Sequence, residues 1–263
     1  NSDTQADDHF NTVLYSGNGQ TTAQGSNAIN EVGFQPDWVW LKKRDSAGAN
    51  VDHALYDSTR GINSMVASNS TGAEGTFSNQ FKSFDSDGFT VALADDGSFG
   101  LNRNGSPFVA WNWKANGSTT TTNDASSTSV GNIDSVIQAN TTSGFSIVTY
   151  TGNGTNNTDL GIAHGLGVAP KMVWVKNRST AKNWQVYNSN LSADGTYGIK
   201  NFFLNLNGGE DAYSDYIKTT SSTTFTIWSD ASDGVGRVNK NGDNYVAYCF
   251  AEIEGFSRFG SYI

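Results

Sequence analysis

The chain repeats itself. FNTVLYSGNG, starting at Phe10, returns as FSIVTYTGNG, starting at Phe145, and GFQPDWVWLKKR at 33–44 returns as GVAPKMVWVKNR at 167–178. DGFTVAL around Phe89 returns as TTFTIWS around Phe225, and FVAWNWKANG at 108–117 returns as YVAYCFAEIEG at 245–255. Four blocks in the same order, at a near-constant offset of about 135 residues, read as a tandem duplication of one folding unit. Duplicated units on one short chain are more often building or binding modules than enzymes. The repeat therefore points to architecture and recognition.

The repeated blocks also set the secondary structure. TVLY and SIVTY run into Gly-Asn-Gly, a strong turn signal after an apolar strand. WVWL and MVWV are apolar on both faces, which places them centrally between two layers. Pro36 and Pro170 stand just before them, where a missing N–H does no harm. FVAWNW and YVAYCF alternate large and small residues, as half-buried strands do. With 7 Trp, 10 Tyr, 15 Phe and 29 Gly among 263 residues, and few helix formers, the chain is expected to be all-β. Short strands between turn signals give two tandem β-sandwich, jelly-roll-like units.

Composition then assigns boundaries. Residues 1–8 are a polar lead-in, residues 9–117 the first unit and residues 143–255 the second. Residues 118–142, dominated by Ser, Thr, Asn and Gly, read as a linker in which Ile133, Val136 and Ile137 could make a short strand. The tail at 256–263, FSRFGSYI, echoes the opening strand of a unit. It is either the start of a third unit or a strand that pairs with one already built.

Several function classes are disfavoured. A net charge of −9 argues against nucleic acid and against an anionic membrane surface. No apolar run has the length of a membrane span. The single cysteine, Cys249, allows no intrachain disulfide, and its run YVAYCFA reads as core. His9, His53 and His164 are not at metal-ligand spacing, and no G-x-S-x-G elbow is present.

Three constellations remain as candidate sites. The carboxylates Asp85 and Asp87 in SFDSDG, and Asp230 and Asp233 in SDASDG, lie beside turn glycines. There they serve as local acceptors for backbone N–H groups or, alternatively, as calcium ligands. No catalytic pair is shared by the two halves, because the counterparts of Asp85 and Asp87 are Ser or Thr. The basic strand ends Lys42, Lys43, Arg44 and Lys176, Arg178 are either solvated guards against edge pairing or a site for an anionic glycan or a neighbouring subunit's carboxylate. Among the tryptophans, Trp38, Trp111 and Trp113 are weaker candidates for sugar stacking, while Trp184 and Trp228 lie in less apolar surroundings and are expected at the surface.

The segments VGFQPDWVWLKKRD, ALYDSTRG, SFDSDGFTV and FVAWNWKANG, followed by HGLGVAPKMVWVKNRS, NWQVY and YVAYCFAEIEGFSRFGSY, resemble a tandem repeat found in virion proteins of tailed, often marine, bacteriophages. The resemblance covers nearly the whole chain from His9 onward and brings no catalytic residues with it. It implies a non-enzymatic structural or adhesive component of a virion surface appendage, a tail fibre or decoration module. Such a protein folds in the bacterial cytoplasm and acts at the virion surface. The partners it implies are further copies of itself, other virion proteins and host-surface glycan, with no nucleic acid and no membrane insertion. A calcium-dependent carbohydrate-binding module is the alternative, and a polysaccharide depolymerase a more distant one.

Overall fold

The computed structural model describes residues 6–45, 52–93, 100–194, 198–210, 215–229 and 236–260. They form two compact units. Residues up to 118, except 71–73, make the N-terminal unit; residues from 119 onward, with 71–73, make the C-terminal unit.

The N-terminal unit contains β1 (Phe10–Ser16), β2 (Asn27–Ile29), β3 (Trp38–Lys43), β4 (Ala54–Asp57), β5 (Ser64–Ala67), β6 (Gly75–Thr76), β7 (Phe81–Asp85), β8 (Gly88–Val91) and β9 (Pro107–Trp113). A six-stranded sheet in the order β1-β9-β3-β4-β5-β6 faces a three-stranded sheet β2-β8-β7, and every pairing is antiparallel. The C-terminal unit contains β10 (Thr121–Asn123), the short helix α1 (Ala125–Thr128), β11 (Ser135–Asn140), β12 (Phe145–Thr151), β13 (Leu160–Ala163), β14 (Met172–Asn177) and β15 (Gln185–Asn188). It continues with β16 (Ala193–Asp194), β17 (Gly198–Ile199), β18 (Phe202–Phe203), β19 (Asp215–Thr220), β20 (Thr224–Ser229) and β21 (Asn244–Phe250). A seven-stranded sheet β10-β11-β12-β21-β14-β15-β18 faces β13-β20-β19. Each unit is therefore a two-layer antiparallel β-sandwich.

The two sandwiches share strand order and register. Val13 pairs with Ala110, as Val148 pairs with Ala247; Ile29 pairs with Phe89, as Ile162 pairs with Phe225. Even an irregularity recurs: the β7–β8 ladder shifts between Phe81 and Ser83, and the β19–β20 ladder between Ile217 and Thr219. Both bulges are centred on a lysine, Lys82 and Lys218. The cores match position by position. Val13, Ile29, Val39, Leu41, Tyr56, Phe89 and Val91 fill one; Val148, Ile162, Val173, Val175, Tyr187, Phe225 and Ile227 fill the other. Each such side chain contributes roughly 1.5–3 kcal/mol by leaving water. Cys249 is a core residue as expected, and burial pushes its thiol up to about 12, against the opposing effect of the Ser146 hydroxyl.

A repeated asparagine clasp closes each sandwich. Asn102 accepts from the Asn18 amide (3.0 Å), and its Nδ2 donates to Asn18 Oδ1 (2.7 Å) and Gln20 O (3.0 Å). Asn239 accepts from the Asn153 amide (3.0 Å), and its Nδ2 donates to Asn153 Oδ1 (3.1 Å) and Thr155 O (2.8 Å). The Gly-Asn-Gly turn must pass close to the opposing loop. A Cβ on Gly17 would sit 2.1 Å from Arg103 O, and one on Gly152 2.3 Å from Lys240 O. Beneath the clasp Tyr15 stacks on Phe108 and donates to Leu101 O, as Tyr150 stacks on Tyr245 and donates to Val238 O.

The units differ at one edge. Residues 118–142, read from composition as a linker, instead supply β10, α1 and β11. β11 pairs antiparallel with β12 over six residues, Ser135↔Tyr150 to Asn140↔Phe145. Inward-facing Ile133 and Ile137 join the C-terminal core, and these few apolar residues are enough to dock the segment. Asp124 caps α1 by accepting from Ser126 and Ser127.

Candidate ligand groove

An open groove of about 510 Å³ lies in the C-terminal unit, where β11 begins, β12 ends and the Asn153 turn starts. Its walls carry Asp134, Thr149, Thr151, Asn153, Asn244 and Arg178. Asp134 stands immediately before β11, and its Oδ1 accepts from the Ala125 amide (2.8 Å) and so is held in place. Thr151 and Asn244 face each other across the β12–β21 pair and are joined by a 3.0 Å hydrogen bond. Arg178 follows β14 and is fixed by its own amide, which donates to Asn244 O (2.8 Å). The groove thus offers hydroxyls, carboxamides, one guanidinium and one carboxylate on strands and the residues next to their ends. This is hydrogen-bonding chemistry suited to a polyhydroxylated ligand.

The structure separates the basic strand ends that sequence had grouped together. Arg178 lines the groove and Arg44 is exposed, but Lys43 is buried and paired with Asp45 at 2.7 Å. Lys42 is half-buried. Lys176 is fully buried, and its ammonium donates to the carbonyls of Lys182 (2.9 Å), Asn177 (3.0 Å) and Thr71 (3.1 Å). These three carbonyls match its three N–H donors. Burial pulls its pKa down to about 8. Neither Lys43 nor Lys176 is a solvated strand end, because the strands continue inward past the point where charge first appears in the sequence.

Of the two surface-assigned tryptophans, Trp184 is a correction. It is wholly buried, its ring nearly parallel to Tyr248 at 6.3 Å. Its polar surroundings misled because Gln185 and Asn201 are themselves internal. Gln185 donates to Asn201 (3.3 Å), and Asn201 accepts from the Ile217 amide and donates to the Ile217 carbonyl, each at 3.0 Å. Trp228 is half-buried, tilted against Tyr216 at 5.5 Å. Trp38 is buried, while Trp111 and Trp113 are half-buried.

Asp85 accepts from the Thr90 hydroxyl (2.7 Å), and Asp87 from the amides of Gly33 (2.7 Å) and Glu31 (3.3 Å). Asp85 thus accepts from a hydroxyl across its own hairpin, whereas Asp87 ties that hairpin's turn to the distant loop at 31–33, a bridge the expected local turn bond did not include. Asp230 and Asp233 lie outside the described residues. Among the described residues no three His, Cys, Asp or Glu side chains come together as a metal-binding group, and no helix is long and apolar enough to cross a membrane. His164 is buried, bonded through Nε2 to Ser221 O (3.1 Å), and takes the Leu166 amide on Nδ1 (3.1 Å). Burial lowers its pKa, against the raising effect of Ser221. His53 Nδ1 accepts from Trp40 Nε1 at 2.8 Å.

Sequence reasoning passed over the groove residues Asp134, Asn153 and Asn244 and the clasp residues Asn102 and Asn239. A signal for the clasp was present: LNRNG at 101–105 recurs as VNKNG at 238–242. The groove was signalled only by Arg178, since one of its walls, residues 132–136, comes from a segment with no counterpart in the first half.

Fold and groove define a chain of two antiparallel β-sandwich units with a hydrogen-bonding cleft in the C-terminal one. The chain belongs to a family described as a domain of unknown function, DUF7483, whose model matches residues 5–263. No curated protein and no solved structure matches it.

Proposed function

We propose that this protein is a non-enzymatic structural and adhesive module of a virion surface appendage, a tail fibre or decoration protein, which contacts host-surface glycan through the groove beside Arg178. The observation that carries this reading is the groove itself: hydroxyl, carboxamide and guanidinium groups gathered on strands and at strand ends. A site of that kind is suited to holding a sugar. The resemblance of both halves to phage virion repeats supports the location. The two matched sandwiches support descent from one duplicated unit, as in modular surface proteins. Carboxylates that hold loops, such as Asp85 and Asp87, support a structural role for the acidic turns. Weak single-site affinity becomes useful when many copies are displayed together.

The test is a glycan array probed with the full chain and with Arg178→Ala, each with and without a calcium chelator. Binding to acidic or neutral polysaccharide that falls at least about tenfold in Arg178→Ala and ignores chelator is the expected result. Binding that vanishes with chelator would move the site to a calcium loop. Shortening of the polysaccharide would replace the reading with a depolymerase.

A further inference from the structure

We infer that the outer edge of β1 is where two copies of this chain join, β1 pairing antiparallel with β1 of a second copy across a two-fold axis. This inference does not depend on the groove.

The first observation is the contrast between equivalent strands. β12 is the counterpart of β1 in the C-terminal unit and is flanked by β21 on one side and an antiparallel β11 on the other. β1 opens the N-terminal unit in the same register against β9, yet it is the outermost strand of its sheet. The C-terminal unit therefore shows what covers such an edge: an antiparallel strand.

The second observation is which groups the edge presents. The Lys114 amide donates to His9 O and the Gly17 amide to Ser106 O, which brackets the β1–β9 ladder. Odd-numbered residues of β1 therefore direct their amides and carbonyls at β9, and Phe10, Thr12, Leu14 and Ser16 direct theirs outward. The Thr12 amide is held by Asn11 Oδ1 and the Ser16 carbonyl by Asn27 Nδ2, both side-chain bonds that an incoming strand can replace.

The third observation is that the edge lacks the usual guards. FNTVLYS has no charge and no proline, and its ladder to β9 runs unbroken from Phe10↔Trp113 to Ser16↔Pro107. Leu14, in its middle, is 63 % exposed, the most exposed large apolar side chain among the described residues. Placing Val13 on the two-fold axis sets Thr12 opposite the partner's Leu14 and Phe10 opposite the partner's Ser16. All seven residues then overlap, with outward amides meeting outward carbonyls. The strand is complementary to itself.

Two variants of the full chain test this, and both change only exposed side chains. In the first, Thr12→Lys with Leu14→Lys puts like charges directly opposite one another twice. In the second, Thr12→Asp with Leu14→Lys puts opposite charges there. Light scattering over a concentration series is read beside residue-resolved hydrogen exchange. The wild type is expected to dimerise and to slow exchange at the Leu14 amide. The two-lysine variant should dimerise on the order of tenfold more weakly, and the Asp–Lys variant should regain the dimer. Unchanged exchange at the core strands β3 and β14 confirms the fold in both. A wild type that stays monomeric at all concentrations overturns the inference. So does a dimer that survives two lysines, or a Leu14 amide protected in the monomer, which would mean another strand covers the edge.

Discussion

The N-terminal and C-terminal sandwiches set the same strands in the same register, yet they hold their buried charges in different ways. The N-terminal unit buries acids. Asp37 accepts from the amides of Ala115, Gly117 and Ser118 and from the Ser58 hydroxyl, at 2.7–2.9 Å. Asp57 and Arg60, both fully buried side chains, pair at 2.5 Å, and Arg60 reaches Glu74 at 2.8 Å. In the C-terminal unit the place of Asp37 is taken by Lys171, and Asp57 is replaced by Asn188. Lys176 is buried there with its ammonium held by carbonyls. Asp243 lies nearby, and although burial works to raise its pKa, hydrogen bonds from Asn177 and Thr180 together with Lys240 hold it low. The skeleton tolerates either solution because β-ladders and apolar cores define it, while each buried charge needs only local partners.

The largest expected effect tests whether the acid network belongs to one unit alone. Arg60→Met leaves Asp57 buried without its cation and should cost about 3–5 kcal/mol. Amide exchange in β3 should accelerate, and exchange in β14 should not. Comparable loss in both would break the picture of two separately stabilised interiors. Trp184→Ala is the mirror test. Removing that buried ring should cost about 3–5 kcal/mol and speed thiol labelling of Cys249, which is otherwise inaccessible.

Lys176 sharpens the contrast through pH. Its folded pKa lies below the ordinary lysine value, so between about 8 and 10.5 the unfolded chain holds more protons than the folded one. Stability relative to Lys176→Met should then rise with pH across that window, by up to about 3 kcal/mol. Denaturation midpoints of both proteins at pH 7, 8, 9 and 10 check this. A difference that is flat or falls with pH contradicts a buried, carbonyl-bound ammonium. The smallest effect belongs to Arg178→Ala, which should move stability by less than about 0.5 kcal/mol, because the residue lines the groove and is not part of the core.

Much of this was legible in the sequence. Blocks of alternating and apolar residues located β1, β3, β8 and β9 and their counterparts, because a strand between two layers needs apolar side chains at fixed spacing. The turn glycines marked the clasped loops. Two things were hidden. Residues 118–142 look like linker because a strand at the rim needs only one inward face, and Ile133 and Ile137 supply it. Trp184 looked exposed because Gln185 beside it is polar, yet Gln185 donates inside the fold to Asn201, which is itself bonded to the Ile217 backbone, and a buried bonded amide is indistinguishable in sequence from a solvated one. The groove follows from the first of these, since β11 is the wall that its composition concealed.

The central claim is that one sandwich is built twice and closed by the same asparagine. Equilibrium denaturation with unit-resolved amide exchange of Asn102→Ala and Asn239→Ala tests it most directly. Each substitution strips a buried acceptor and donor from its turn and should cost about 1–3 kcal/mol in its own unit, with the two losses equal within about 0.5 kcal/mol. A large loss for one and none for the other would contradict the claim, and would mean the shared geometry hides two unrelated ways of holding the sandwich shut.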